Sequence, residues 1–464
     1  MKWIALLTYP FFLLFTLSSA FGQTDPYALF EDLRFEETRM ALADLPPTPY
    51  HIYLANLNDC ADLILNESAA KYKNLKEQYE ARLDLLKDLE EDAERNSIIS
   101  EIRLQWAFIA GKYGDNWNAF WTLRKALKTI EENIEDYPDY ELNLKTIGLL
   151  NIVLDLVPDN RKWLLNVFGM KGNFELGYTQ LRQVDAIETK VILSLINTYI
   201  LEEQVQIGFA ENKALYHYLA GLIYSKHHNA KSAIKAFEQL NTNISVRPYL
   251  LAEAHFNQGD FENAIPLYLT FLENEEFVNY KKDAYLKLAL AHWFIGKTEE
   301  EARVYLDLAK SINKSDTEID RNASRLINQV ESMNKEMLML RYSLDGGNFH
   351  SALELINALE NEDLSDYEQL EFTYRKARYF QLSDQPDKAI AEFKFVIEKG
   401  QPFREAYFVP NSYLQIGKTY EDIGKPNTAR MYYQQVLDFE DHTYKQSIDL
   451  KARISLTKLD QPND

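Results

Sequence analysis

A single cysteine, Cys60, stands in 464 residues. One thiol permits no internal disulfide and no cysteine-rich metal site. Its neighbours Leu57, Asn58, Asp59, Ala61 and Asp62 read as helix, where Cys60 is an inert, buried small residue. Glycine and proline are scarce, at 16 and 14. That leaves little chain for linkers and fits a protein built almost wholly of helix. No basic cluster relieves the net charge of −21. Gripping a phosphate backbone requires such a cluster, so nucleic acid and anionic membrane surfaces are poor partners for the chain as a whole, no nucleic acid is expected, and the acidity reads as a solvated outer face. Glycine-rich phosphate loops, H-E-x-x-H and G-x-S-x-G are all missing. No catalytic constellation, cofactor or metal is expected.

Beyond residue 17 no apolar run is long enough to span a bilayer. The start of the chain is different. Lys2 precedes an apolar run from Trp3 to Leu17, and Ser18-Ser19-Ala20-Phe21-Gly22-Gln23 follows. A charged start, an apolar middle and a small-x-small exit predict a secretory signal peptide, cleaved before Gln23. The alternative is an uncleaved anchor, although a spanning helix needs roughly 20 apolar residues. No cysteine follows the exit, so a lipid-anchored start is not supported.

What the chain has in plenty is repetition. A glycine or turn residue is followed five positions later by a small residue, and four beyond that by an apolar one. Gly259-Asp260-Phe261 leads to Ala264 and Tyr268, Gly347-Asn348-Phe349 to Ala352 and Ile356, and Gly172-Asn173-Phe174 to Gly177 and Leu181. The small residues are Ala119, Gly177, Ala233, Ala264, Ala302, Ala352, Ala389 and Ala429, and four of the seven intervals span 31 to 40 residues. Earlier in several copies stand Gly221, Ala252, Ala377 and Gly417, then Tyr224, His255, Phe380 and Tyr420. Two helices must cross closely at each small residue, and larger apolar side chains flank the crossing. The long stretch Ser311 to Lys335 predicts a long or lengthened helix, and Leu29 to Leu45 a single amphipathic one.

This pattern resembles the tetratricopeptide repeat superfamily, whose unit is about 34 residues. The likeness is good over Leu215 to Leu459 and looser over Leu104 to Val184. It implies an all-α fold, a right-handed α-solenoid of helix-turn-helix repeats, and a non-enzymatic protein that binds other proteins. A narrower likeness runs from Gly148-Leu149-Leu150-Asn151 through Trp163-Leu164-Leu165 to Phe168-Gly169-Met170-Lys171-Gly172-Asn173-Phe174. It resembles the central motif of the inclusion-body-clearance family, adaptors linked to membranes, lipid regulation or protein quality control. The signal peptide departs from those intracellular proteins and favours an exported scaffold in the cell envelope or periplasm. The expected organisation is a signal peptide (1–22), an N-terminal helical region (23–135), a central hairpin (136–210) and a repeat array (211–460).

Candidate binding residues follow from the repeat register. Arg341, Arg378 and Lys418 stand at one slot of three successive units, with Arg375 one turn from Arg378. Tyr218, Tyr249 and Tyr374 occupy a slot one turn earlier in their own units. Both slots are expected on the concave side. Four cations there predict a groove for a carboxylate or an acidic peptide segment, since Arg forks onto carboxylates; the competing reading is pairing with nearby Asp and Glu. The chaperone-binding clamp of the superfamily needs Lys and Asn at matching slots, and these are missing. His227-His228 is expected to be an exposed polar pair rather than a metal site, because adjacent helical residues point about 100° apart. His255 is expected in the helix packing. Trp163 to Phe168, the most apolar short stretch, is expected to be a buried helix; contact with a membrane is possible but not favoured.

Overall fold

The computed structural model describes residues 25–460 except 158, 204, 206–211, 278, 297–298, 314–316 and 404–405. The expected signal peptide lies outside the described residues. Among them the fold is all-α, with 24 α-helices and no strand. The N-terminal region holds α1 (Pro26–Glu31), α2 (Phe35–Ala43), α3 (Pro49–Leu65), α4 (Ala69–Asp88) and the pair α5 (Ala93–Lys112) and α6 (Asn116–Asp136). Then come α7 (Leu142–Asp155), α8 (Asp159–Val167), α9 (Phe174–Gln183) and α10 (Ile187–Ile196), which runs into a π-helical turn at Asn197–Leu201.

The array continues as helix pairs. They are α11 (Ala214–Lys226) with α12 (Ala230–Gln239), α13 (Arg247–Gln258) with α14 (Phe261–Leu272), and α15 (Lys281–Phe294) with α16 (Glu299–Ser311). After α17 (Glu318–Ile327) come α18 (Lys335–Asp345) with α19 (Phe349–Leu359), α20 (Asp366–Leu382) with α21 (Pro386–Lys399), and α22 (Phe408–Asp422) with α23 (Pro426–Leu437). The last helix is α24 (Lys445–Asp460).

The recurring phrase is a helix stop joined to a helix start. Gly259 and Gly347 take left-handed φ values of 83° and 70°, a conformation open to residues without a Cβ. The next amide then reaches back five residues: Asp260 N to His255 O at 2.9 Å, and Asn348 N to Ser343 O at 2.8 Å. This Schellman-type bond satisfies a carbonyl at the helix end. The same Asp260 and Asn348 side chains accept from Asn263 N and Ser351 N and so cap the second helix. His228 and Asp384 adopt the left-handed turn without being glycine, at 54° and 57°. Where no Asx cap is present, Pro386 and Pro426 open the second helix.

Five positions on, the small residue meets the first helix. Ala119, Ala233, Ala264, Ala352, Ala389 and Ala429 are all wholly buried. Across the same crossing a Cβ on Gly221 would lie 2.3 Å from the Phe237 ring, and one on Gly417 would lie 2.5 Å from Tyr433. Ala302 departs from the pattern: it is only half-buried, and Ala309 is the wholly buried alanine of that helix. Its turn glycine, Gly296, stands one residue further ahead than in the other copies, so the crossing shifts along the helix.

Three further expectations are corrected. Leu29 to Leu45 is two helices, broken where Leu33 takes a φ of 55° and Arg34 N bonds back to Leu29 O. The Ser311 to Lys335 stretch contains a separate helix, α17, anchored through buried Ala323, Leu326 and Ile327. Trp163 and Val167 are exposed rather than buried, whereas Leu165 of the same helix is buried.

The stack is wound tightly enough for distant units to meet. Val246 N donates to Leu65 O at 3.1 Å, and Asn279 Nδ2 donates to the buried Glu67 at 2.6 Å. The turn before α19 docks on two earlier turns, with Ala230 N on Gly346 O at 3.1 Å and Asn348 Nδ2 on Gln258 O at 2.8 Å. Helices α15 to α17 are thereby bypassed by the main stack.

Candidate functional site: a cationic inner face

First helices pack on first helices along the C-terminal half, α18 on α20, α20 on α22 and α22 on α24. Equivalent slots therefore line up along one surface. Arg341 lies over the Tyr342 ring at 5.6 Å, with its nearest carboxylate, Asp345, 4.0 Å away. Arg378 donates to Gln415 Oε1 at 2.9 Å and to Gln381. It has no carboxylate partner among the described residues. Its other nitrogen sits 3.4 Å from His228 Nε2, while His228 Nδ1 is 3.2 Å from the Asp345 carbonyl. Burial and the Arg378 charge hold the His228 pKa down, which suits a neutral imidazole donating through Nδ1 and accepting through Nε2. The His227-His228 pair is thus half-buried at a turn, not exposed as expected. The reason is that α18 and α20 fold back over it.

Arg375 is buried, paired with Glu371 at 2.8 Å and stacked near Tyr374 and Phe408. For this residue the pairing alternative holds. Lys418 is also paired, with a residue that the repeat register does not reveal: Glu202. Glu202 follows the π-helical turn in a left-handed conformation, φ 57°, which for a residue with a Cβ is strained and held in place by its surroundings. Its carboxylate receives Lys418, Lys451 and, at 3.5 Å, Lys226. Beside it Glu203 meets Lys458 at 2.6 Å.

Three ammonium groups thus surround one carboxylate. Despite burial, they hold the Glu202 pKa well below its usual range. Lys418 shows the other side of the imbalance. Burial outweighs the attraction of Glu202, Lys451 and Lys226 add repulsion, and its pKa falls to about 8. Lys226 is lowered by burial as well. The Glu202 and Lys418 values both fall, which favours the charge on Glu202, ringed by three cations, and disfavours it on Lys418, where burial comes first and two neighbouring lysines add to it. At Glu202 itself three lysines meet one carboxylate, while Glu203 and Glu421 meet Lys458 beside it. Arg341, Arg378, Lys418 and Lys451 stand on the successive first helices α18, α20, α22 and α24, which pack in that order.

The tyrosines do not belong to this row. Tyr218, Tyr249 and Tyr374 are buried. The Tyr249 hydroxyl donates to Asp283 Oδ2 at 2.8 Å, and Tyr374 accepts from Asn411 Nδ2 at 2.6 Å. The Tyr374 ring packs on Phe393 of its own unit and on Tyr407 and Phe408 of the next. Their slot is a joint between units. Of the candidate cations, Arg375 is buried and Arg341, Arg378 and Lys418 are half-buried, since a long stem can lie on apolar surface while its charged head stays in a polar setting. Lys451 had a signal, since it stands one repeat length after Lys418. Glu202 and Lys226 had none.

Comparison with known proteins agrees with the helix pairing. A family model for the tetratricopeptide repeat matches residues 410–442, most of α22 and all of α23. The match does not reach residues 148–181, where the inclusion-body-clearance likeness lies. No curated protein matches. Among solved structures, the TPR domain of P58(IPK) is 13% identical, with 88% of this chain and 99% of that chain covered at a TM-score of 0.22. Yeast Tom70 is 12% identical, with coverages of 93% and 87% and a TM-score of 0.23. The Cut9–Hcn1 hetero-tetramer of the APC/C is 11% identical, with coverages of 92% and 94% and a TM-score of 0.23. TM-scores this low carry no argument about geometry or function. Among the described residues the class is an all-α stack of helix pairs, and one pair, α22 with α23, matches the tetratricopeptide repeat.

Proposed function

We propose that this chain is an exported, non-catalytic scaffold of the cell envelope that captures an acidic or C-terminal peptide segment on its inner face. The observation that supports it most is the strip Arg341–Arg378–Lys418–Lys451, in which Arg378 has no carboxylate partner among the described residues and three lysines share Glu202. In a chain of net charge −21, such an accumulation selects a ligand of opposite sign. An incoming carboxylate would gain charge-assisted bonds from groups already desolvated and oriented. The signal-like start and the lack of catalytic motifs support export and scaffolding.

The test is fluorescence anisotropy of labelled peptides with acidic C-termini, beside amidated and Lys-substituted controls. Arg341→Gln/Arg378→Gln should weaken the acidic peptide by about tenfold, equivalent to ~1.4 kcal/mol, with little change in melting. Lys418 is left in place because reversing it would set a second carboxylate against Glu202. Binding should also weaken with salt, since exposed charge attraction is screened over about 8–10 Å. Equal binding of acidic and amidated peptides, or of wild type and double variant, would remove the inner face from consideration.

A further inference from the structure

A second surface lies apart from the inner face. Trp117 and Trp121 stand one turn apart on α6, with 58% and 39% of their surface exposed. Trp163 and Val167 stand one turn apart on α8, with 64% and 69% exposed. Phe168, directly after α8, joins the two helices, its ring 5.2 Å from Trp121 and 5.1 Å from Phe120. Arg124 lies over the junction, 5.5 Å from the Trp121 ring and 5.1 Å from Phe168. Three of the six tryptophans in the chain are thus exposed on the two helices that Phe168 joins. Large exposed apolar patches mark surfaces that something covers.

Charge says what covers it. Residues 116–130 and 160–174 contain six Lys or Arg and no Asp or Glu, in a chain of net charge −21. Lys128 pairs with Glu132 at 3.2 Å and Lys162 with Asp155 at 3.3 Å. Arg124, Lys125 and Lys171 make no ion pair among the described residues. We propose that this face seats the protein on an anionic phospholipid surface. The tryptophan rings enter the boundary between headgroups and acyl chains, where an apolar body with one polar N–H is at home. The cations around them face the lipid phosphates. The association is peripheral, because no described helix is long and apolar enough to cross a membrane. Lipid is favoured over a protein partner because the exposed rings are accompanied by Arg124, Lys125 and Lys171, which make no ion pair among the described residues.

The test is flotation of the full chain with vesicles of phosphatidylcholine alone and of phosphatidylcholine with one quarter phosphatidylglycerol. Trp117→Ser/Trp163→Ser removes two rings that are mostly exposed, so the fold is retained, and Lys125→Glu/Lys171→Glu reverses two flanking charges. All forms carry the same N-terminus, so differences between them report the patch. Wild type should partition at least tenfold better onto the anionic vesicles, and each double variant should lose most of that gain. Brominated acyl chains should quench wild-type tryptophan emission more than that of the tryptophan variant. Equal partition of wild type onto both vesicles, or of wild type and variants onto the anionic ones, overturns the proposal. So does self-association of wild type that the tryptophan variant abolishes without lipid binding, which would make the patch a protein interface.

Discussion

Alanine at each helix crossing is a steric requirement, and the structure grades it. Ala264 and Ala389 are wholly buried between paired helices, whereas Ala302 is half-buried. Ala264→Leu and Ala389→Leu should each destabilise by about 1–3 kcal/mol through overpacking. Ala302→Leu should stay within about 0.5 kcal/mol, as for ordinary surface changes. Urea denaturation of the three variants checks this, and equal losses at all three would mean that the crossing does not depend on side-chain volume. Lys418 carries a pH prediction. With a folded pKa near 8 against the ordinary 10.5, it loses its proton in the folded state first. Stability from this group therefore rises between about pH 8 and 10.5, while its positive charge disappears. Acidic-peptide binding should decline from pH 7 to 9, and Lys418→Arg, which stays charged, should flatten the decline. A wild-type profile that stays level over this range would place Lys418 outside the binding strip.

At the scale of elements, the turn phrase does two tasks, and the second varies. Asn348 caps α19 and also donates to Gln258 O of another unit at 2.8 Å. Asp115 precedes α6 without a side-chain cap bond. Asn348→Ala should therefore cost about 1–2 kcal/mol, and Asp115→Ala much less, as read from melting of the two variants side by side. Helix α10 is tied to α5 and α7 through buried Lys145, which meets Glu101 at 2.8 Å and Glu188 at 3.2 Å. Burial, opposed by Lys145 and reinforced by Glu101, pushes the Glu188 carboxyl up to about 7 from its ordinary 4.5. Between those values the folded chain keeps a proton that the unfolded chain has released, so this contribution to stability falls as pH rises. Glu188→Gln should shrink the drop in melting temperature between pH 5 and 8. An unchanged drop would assign it to other groups. These elements were largely readable in advance: the turn glycines and alanines placed the helix pairs from Ala214 onward. Tyr218, Tyr249 and Tyr374 were misjudged because periodicity gives the face of a helix but not which neighbour covers it. Trp163 was misjudged for the converse reason.

For the whole molecule, the decisive contact is Glu202 with Lys226, Lys418 and Lys451. It joins the end of the central segment to α11, α22 and α24 and closes the array on itself. Glu202→Ala would leave three ammonium groups facing one another without an anion. Removing one partner of a buried pair costs on the order of 3 kcal/mol. The loss should be local: faster amide exchange in α22 to α24 and a larger radius of gyration, with the N-terminal helices still protected. Uniform protection and an unchanged radius would show that the closure rests on packing alone.

Helix class, pairing and the order of units were already dictated by the residues, because each repeat makes its contacts with its sequence neighbours and those contacts recur at short, regular spacing. The slot shared by Arg341, Arg378 and Lys418 was readable for the same reason. Whether such a slot ends up open, covered or paired was decided only by tertiary structure. The winding of the stack accumulates from small rotations at every unit and from the bypassed α15 to α17. That winding brings Glu202 to Lys418, and α18 and α20 to His228, across separations that no local pattern encodes.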